Sequence, residues 1–376
     1  MKRALIVANS LGMISSFLEN DIILLQKRGY KIDCACNINY SANDSSFFVE
    51  KYNLHLIHID FSMRKLKMSN VFCVYHALAK VIKNTYYELV HCHTTIASVI
   101  TRQITKKYRK RGMKVVYTSH GFPFFKGANF PQKVVFRLIE NYYSKFTDGI
   151  ITICEEDYTN AKVMKCKKVY RINGVGVDLT KYTCEKIDKK KYRQMLGIDI
   201  DKEVILSIGE INTNKNHEIV IKALSVLDDD IVYVICGREL TEHGKREELE
   251  MLAEKLNVTV IFLGYRDDIP QVCMCSDIGA FPSLKEGLGL AGIEMLAAGL
   301  PIAGANRQGI KDYVKDGLTG FLADPTNVTE YAEAIKKTIF LSTDKKTKLE
   351  CQNMASKFSK ECAYRKMEQI YENLLI

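Results

Sequence analysis

The chain of 376 residues contains no tryptophan and only 6 prolines. It also has no uninterrupted apolar run of the roughly 18 residues that a membrane-spanning helix needs. The longest candidate, 287–305, is interrupted by Glu294 and Pro301. Lys2 and Arg3 are followed by only a short apolar run before Asn9, too little for the core of a secretory leader. The turn after that run, Ser10-Leu11-Gly12-Met13, has neither the G-x-G-x-x-G fingerprint nor the Walker pattern. This argues against a nicotinamide dehydrogenase and a P-loop NTPase. The twelve cysteines lack metal-type or thioredoxin-type C-x-x-C spacing; Cys34/Cys36 and Cys273/Cys275 are spaced C-x-C. Several sit in apolar runs such as Val234-Ile235-Cys236, as buried thiols of a reducing compartment would.

What is present is a globular composition, 47% hydrophobic and 26% charged, long enough for two domains with separate cores. The 54 Lys and Arg outnumber the 44 Asp and Glu, for a net charge of +10. The excess is confined to one half: 27 basic against 13 acidic residues up to Asp178, then 27 against 31. Such an asymmetry points to an anionic partner for the first half only.

Short apolar runs at Ala4–Ala8, Tyr30–Cys36, His55–Ile59, Leu89–Cys92, Lys114–Ser119, Gly149–Ile153 and Val169–Ile172 alternate with helix-patterned stretches. After Asn173–Asp178 a charged stretch, Lys181–Lys202, reads as a linker. The alternation then restarts with Val204–Ile208 and ends in two helical stretches, Val328–Leu341 and Lys346–Ile376. This rhythm predicts an α/β fold of two Rossmann-like, doubly wound parallel sheets with a hinge near Asp178. Ligands of such sheets lie at the carboxyl ends of the strands, so the cleft between the halves is the expected site.

Three segments carry chemistry. In Phe281–Glu294, Glu286 follows a strand, Gly287 and Gly289 let backbone amides approach a ligand, and the helix beginning at Leu290 favours an anion at its N-terminus. Glu294, one turn in, also fits simple dipole capping. In Leu206–His217 the same order of strand, glycine and helix places Gly209 and Lys215 beside another helix N-terminus, which suits a phosphate. A solvated loop lysine with Asn216 as N-cap is the plain alternative. In Tyr117–Gly127, His120 ends a strand and is followed by Phe122, Phe124 and Phe125 in a loop that reads as exposed. His91-Cys92-His93 puts two imidazoles on one strand face, but without companion ligands it reads as structural or cleft-lining. The basic run Lys106–Arg111 ends a helix, where dipole complementation explains it without nucleic acid.

Together these segments resemble the retaining GT-B glycosyltransferases of family 4, in particular bacterial enzymes of capsular and exopolysaccharide synthesis. The family's E-x7-E signature is matched by Glu286 and Glu294, and its glycine, lysine and histidine segment by Gly209, Lys215 and His217. Phe262–Arg266, Ala298–Pro301, Gly317 and Gly320-Phe321 also fit, and His120-Gly121-Phe122 with Lys126-Gly127 resembles the subgroup acting on polysaccharide precursors. The resemblance implies transfer of a sugar from a nucleotide-sugar, a UDP-sugar, to a lipid-diphosphate-linked oligosaccharide, in the cytoplasm at the inner face of the membrane. It implies no metal and no other cofactor. Residues 1–178 would form the acceptor-facing and membrane-facing domain, 179–360 the donor domain, and 361–376 a helix packing back on the first domain.

By matching position, Glu286, His120 and Lys215 would be catalytic. Lys215 would neutralise the diphosphate, while the amides of Gly287, Leu288, Gly289 and Leu290 bind phosphate and sugar. Glu294 would hold the ribose, Gly12 would line the phosphate side with Gly209, and the base would rest near Tyr265 and Arg266. Many relatives carry arginine where this chain has Glu210, so Glu210 must point away or pair with a cation, Arg307 or Arg266. The basic first half, with the three phenylalanines, would dock on anionic lipid headgroups. Other readings of the same architecture are a nucleotide-sugar epimerase or phosphorylase, and a non-catalytic membrane-binding or polymer-binding protein.

Overall fold

The computed structural model describes residues 2–41, 45–61, 68–182, 187–227, 230–240 and 244–375; Cys184 lies outside them. The chain divides into two compact units, Met1–Gly176 with Lys360–Ile376, and Val177–Ser359. In the first, strands β1 (Lys2–Ser10), β2 (Tyr30–Asn37), β3 (His55–His58), β4 (Leu89–His93), β5 (Lys114–Ser119), β6 (Gly149–Thr152) and β7 (Val169–Arg171) form one parallel sheet in the order 3-2-1-4-5-6-7. Its helices are α1 (Leu11–Phe17), α2 (Glu19–Lys27), α3 (Ser45–Lys51), α4 (Met68–Asn84), α5 (Thr95–Thr105), α6 (Phe130–Ser144) and α7 (Glu155–Lys162).

The second unit repeats the plan. Strands β8 (Glu203–Ile208), β9 (Ile231–Cys236), β10 (Thr259–Gly264), β11 (Ile278–Phe281), β12 (Ile302–Ala305) and β13 (Gly320–Ala323) lie parallel in the order 10-9-8-11-12-13. Helices α8 (Lys189–Met195), α9 (His217–Leu224), α10 (Lys245–Lys255), α11 (Ile269–Cys275), α12 (Leu290–Ala297), α13 (Ile310–Tyr313), α14 (Val328–Ser342) and α15 (Lys345–Ser356) complete it. The last helix, α16 (Lys360–Leu375), belongs to the first unit. Two doubly wound parallel sheets in this order are the GT-B fold. Among the described residues no helix is long and apolar enough to cross a membrane.

Near-continuous apolar strands such as Ala4–Ala8 and Ile231–Cys236 are buried on both faces, as helices on both sides of a parallel sheet require. Cys34, Cys36, Cys236, Cys273 and Cys275 are among the buried thiols.

The structure departs from the sequence reading in several elements. The charged stretch 181–202 is not a plain linker. Its α8 is fastened by the Arg193 guanidinium, which donates to Asp277 Oδ2 at 2.6 Å and to the Cys275 carbonyl at 2.8 Å, while Lys189 meets Asp277 Oδ1 at 2.6 Å. The expected single helix Lys346–Ile376 breaks at 357–359, where Val177 N–H donates to the Phe358 carbonyl at 2.9 Å. That bridge separates α15 from α16, and no glycine or proline announces it. Strand β13 was not expected from Gly-Phe-Leu-Ala; it exists because Ile302–Ala305 offers an open edge to pair with. The polar α7 was likewise not anticipated from its pattern. It is placed by Asp157, whose carboxylate accepts the Phe122 N–H at 2.8 Å.

Candidate functional site

In each sheet the strand order reverses once, between β1 and β4 and between β8 and β11. The loops leaving the carboxyl ends of these strands are where a doubly wound sheet leaves backbone groups for a ligand. Each unit carries expected site residues in those loops.

In the second unit, the loop after β8 is stapled to the loop after β11. Leu284 N–H donates to the Asn214 carbonyl at 2.9 Å, and Asn214 Nδ2 to the Lys285 carbonyl at 3.0 Å. Asn216, in the left-handed region at φ 55°, extends Nδ2 to the carbonyls of Pro282 (3.2 Å) and Pro325 (2.8 Å). The staple brings Lys215 Nζ to 2.5 Å from Glu286 Oε1 and to 5.1 Å from the centre of the Phe281 ring. Asn216 therefore holds two loops together, beyond the cap that its sequence position suggests. Its neighbour His217 is a buried strut: Nδ1 pairs with Tyr233 Oη at 2.8 Å and Nε2 with the Glu210 carbonyl at 3.3 Å. Burial lowers its pKa to about 4, so it is neutral at pH 7.

Gly209, at φ +151°, leaves room for the Lys215 stem, which a Cβ there would meet at 2.8 Å. Gly237 was missed by the sequence reading although a Cβ on it would fall 1.7 Å from the Gly209 carbonyl oxygen. Gly289 caps α12 at φ +82°, with the Phe281 ring 2.6 Å from where its Cβ would be. A Cβ on Gly292 would meet Tyr313 Oη at 2.2 Å. Gly287, Gly289 and Gly292 spell G-x-G-x-x-G between a strand and a helix, a signal present in the sequence and not used. The amides of Leu290 and Ala291 at the start of α12 have no carbonyl behind them within the helix, whereas Gly292 N–H donates to the Gly289 carbonyl at 3.1 Å. Leu288 is buried beneath this loop.

Glu294 lies one turn into α12. Burial raises its pKa, with Lys181 opposing, and among the described residues its carboxylate has no hydrogen-bond or ion-pair partner. A partly desolvated, unpaired acceptor suits a pair of hydroxyl donors. Tyr265 is exposed and its ring carries the Arg238 guanidinium at 4.4 Å, a stack that the sequence reading did not include. Arg266 is withdrawn from Glu210: its Nε and Nη2 chelate Asp268 at 2.7 and 2.5 Å, and Tyr192 Oη donates to the same carboxylate. Arg307 is withdrawn likewise, donating to Asp324 at 3.1 Å. Neither expected cation compensates Glu210, which is exposed and accepts from Asn212 Nδ2 at 3.0 Å.

In the first unit, His120 follows β5 and its Nε2 lies 3.1 Å from His93 Nδ1, at the end of β4. His91, two residues earlier on β4, pairs through Nδ1 with Tyr371 Oη (2.7 Å) and through Nε2 with Thr118 Oγ1 (2.8 Å). Tyr371 Oη donates onward to Asp21 Oδ1 at 2.7 Å. Burial lowers His91 to about 3 and His120 to about 4, and raises Asp21 to about 6. His91 is thus structural. His93 Nε2, fully buried, has no partner among the described residues and lines a cavity of about 10 Å³ with Asp21, Thr118 and His120. Beside it Thr94, a β-branched residue at φ 63°, donates Oγ1 to Asn9 Oδ1 at 2.6 Å. Backbone strain of this kind collects at ligand-facing turns. Among the described residues no three His, Cys, Asp or Glu converge as metal ligands.

Two features here bear on the sequence reading, and the second overturns it. Gly12 lies in the first turn of α1, which Ser10 caps, and its N–H already donates to the Tyr40 carbonyl at 2.9 Å. A ligand beside Gly12 would meet its Cα and not a free amide. Phe122, Phe124 and Phe125 are buried, the first two stacked at 4.7 Å, so they form core and not a lipid-facing loop.

Residues 188–357 match the family model "Glycosyl transferases group 1", and residues 12–154 match "Glycosyl transferase 4-like". The chain is 30% identical over 356 residues, covering 92% of it and 90% of the relative, to EpsD of Bacillus subtilis (strain 168), a protein assigned by name to the glycosyltransferases. It is 30% identical over 275 residues, 69% of this chain and 68% of the relative, to the Escherichia coli UDP-Gal:alpha-D-GlcNAc-diphosphoundecaprenol alpha-1,3-galactosyltransferase. Among solved structures, Anabaena HepE in complex with UDP-glucose matches over the full length of both chains with a TM-score of 0.75 at 20% identity. The chain therefore belongs to the glycosyltransferase family, joining a group 1 unit to a family-4-like unit on the GT-B fold.

Proposed function

We propose that the protein is a retaining glycosyltransferase that moves a hexosyl or N-acetylhexosaminyl group from a UDP-sugar to a lipid-diphosphate-linked oligosaccharide, in capsule or exopolysaccharide synthesis at the inner face of the cell membrane. The observation that carries it is the loop pair of the second unit, in which Lys215, Glu286, the Gly287–Leu290 turn and the unpaired Glu294 follow adjacent strands. The Escherichia coli relative, whose name specifies a UDP-sugar donor and a diphosphoundecaprenol acceptor, supports the choice of substrates.

In this reading the bond between the sugar's anomeric carbon and the β-phosphate oxygen breaks, the diphosphate leaves with the electron pair, and an acceptor hydroxyl oxygen bonds to the anomeric carbon with retained configuration, its proton passing to the departing phosphate oxygen. Lys215 exchanges its carboxylate partner for the diphosphate as negative charge develops there, with the α12 amides as further donors. Glu286, released, turns to the transferred sugar. Glu294 takes the ribose hydroxyls, Tyr265 lies by the base, and His120 is a sugar contact. The lysine and the helix N-terminus fill the charge-neutralising role without a metal. Glu210, held by Asn212, stays off the diphosphate.

The test is incubation with a panel of nucleotide-sugars and an isoprenoid-diphosphate saccharide, read by mass spectrometry. Transfer with release of nucleoside diphosphate is expected. Folded protein that releases no nucleotide from any donor would overturn the reading, and interconversion of the donor sugar without release would establish an epimerase.

A further inference from the structure

Helix α6 is fastened by one face and bare on the other. Glu140, fully buried, takes the buried Arg102 guanidinium of α5 at 2.8 Å and the Tyr117 hydroxyl at 3.3 Å. On the outer side Phe130, Val134, Leu138 and Tyr142 are exposed, Phe130 by 77% and Leu138 by 64%, with Val135 beside them. A spacing of four residues keeps such positions within about a third of the helix circumference, so they form one apolar ridge. Lys133 and Arg137 stand on the same helix and Lys145 is its C-cap, and from Phe130 to Lys145 the only carboxylate is the buried Glu140.

Lys145 joins this ridge to a second feature. Its Nζ stands 3.8 Å from the centre of the Tyr142 ring, and its side chain also lines a cavity of about 330 Å³ at the amino ends of β5, β6 and β7. The cavity wall carries Arg109, Lys114, Lys145, Lys165, Lys167 and Lys168 against one carboxylate, Asp148. Asp148 is already chelated by Arg109 at 2.6 and 3.1 Å. Among the described residues Lys114, Lys165 and Lys167 have no carboxylate in ion-pair range. Lys114 opens β5 whereas His120 follows its other end, so the cavity is at the opposite edge of the sheet from the transfer residues.

We propose that α6 and this cavity form one membrane-docking face: the ridge enters the interface of an anionic bilayer, and the lysine cavity takes the phosphate of an anionic phospholipid headgroup. Adjacent apolar and cationic surfaces complement the acyl boundary and the phosphate layer of such a bilayer. A second copy of the chain, packed ridge to ridge about a twofold axis, would set these like charges against each other. The inference deepens the reading of a lipid-borne acceptor and rests on it for its biological sense, but its test uses no donor and no acceptor.

The test is co-sedimentation of the full chain with phosphatidylcholine vesicles with and without phosphatidylglycerol, across a salt series. Phe130→Ser with Leu138→Ser, and Lys145→Ala with Lys165→Ala and Lys167→Ala, are compared with wild type. All five positions are surface side chains, and circular dichroism checks the fold. Wild type is expected to bind the phosphatidylglycerol vesicles, and each variant to bind them roughly tenfold more weakly. The lysine variant should lose the salt dependence and the ridge variant keep it. Three results would overturn the proposal: no preference for anionic vesicles, full binding by both variants, or loss in Phe130→Ser/Leu138→Ser of a self-associated species with no vesicle binding. Titration with inorganic phosphate separates the sources of the anion. Phosphate binding that the lysine variant abolishes, without vesicle binding, would assign the cavity to a free anion. Vesicle binding that fails while sugar transfer to a short-chain acceptor persists would sink this inference and leave the proposed function standing.

Discussion

Lys215 lies 2.5 Å from Glu286, and its backbone N–H donates to Asn212 Oδ1 at 3.0 Å, so its charge is held in place where the proposed function puts the diphosphate. Lys215→Ala is expected to lower kcat by on the order of 10² to 10³ with the melting temperature little changed, which steady-state kinetics beside calorimetry would check. A loss confined to KM would remove Lys215 from the transition state. Gly237→Ala should act the other way round. Its Cβ would fall 1.7 Å from the Gly209 carbonyl oxygen, forcing the Lys215 loop outward at a cost of about 1–3 kcal/mol. Both a lower melting temperature and weaker UDP binding follow; retention of the two would show that the loop can yield freely.

The buried groups of the first unit have opposite pH behaviour. His91, His93 and His120 hold their protons less tightly than an unfolded imidazole at 6.5, so their contribution is full above 6.5 and is lost as pH falls toward the folded values. Asp21 holds its proton more tightly than an ordinary carboxyl, so its contribution is present at low pH and is lost as pH rises through about 6. Asp21→Asn should therefore raise the melting temperature near pH 7, lose that gain near pH 4, and steepen the acid decline, as calorimetry across pH would show. An equal effect at both pH values would mean that the Asp21 charge is not the cause. That Gly209, Lys215 and Glu286 lie in loops that follow parallel strands was legible in the sequence, because each loop comes directly after a short apolar run. The partners of Arg307 and Gly12 were not, because each is distant in the chain: Asp324 for Arg307 and the Tyr40 carbonyl for Gly12.

At the scale of elements, α16 shows what periodicity misses. Its buried face, Ala363, Met367, Ile370, Tyr371 and Leu374, has helical spacing. That spacing does not say where the helix packs. Tyr371 decides this by reaching both His91 and Asp21. Tyr371→Phe leaves two buried groups short of a partner and should cost about 1–3 kcal/mol, measured by denaturant unfolding. A neutral outcome would mean that water replaces the hydroxyl. The strands were legible as short, mainly apolar runs, β5 to the residue, because burial on both faces favours apolar side chains, although β5 also carries buried Thr118 and Ser119. Helices α7 and α8 were not, since their polar surfaces are fixed by single contacts, Asp157 to Phe122 N–H and Arg193 to Asp277.

For the molecule as a whole, the second unit is one continuous segment, Val177–Ser359, while the first is completed only by Lys360–Ile376. Residues 177–359 expressed alone are expected to melt cooperatively and to bind UDP. Residues 1–176 alone expose the surface that α16 covers; they should aggregate or stay partly folded, and a peptide of residues 360–376 added in trans should restore a cooperative transition in calorimetry. A cooperative melt of 1–176 without the peptide would show that α16 adds little. The charge asymmetry belongs to this scale too. Composition alone located the basic excess in the first half, because counting charges needs no coordinates. The sequence reading took Phe122, Phe124 and Phe125 for an exposed loop, whereas Phe122 and Phe124 stack on each other inside the core and Phe130 stands outside. The sequence by itself determined the alternation of strands and helices and the two repeats, since these follow from local periodicity. Only the tertiary structure decided which group meets Arg307 and Gly12 and which aromatic faces water. Those depend on contacts between residues far apart in the chain, and burial is a property of the packed chain that no single segment carries.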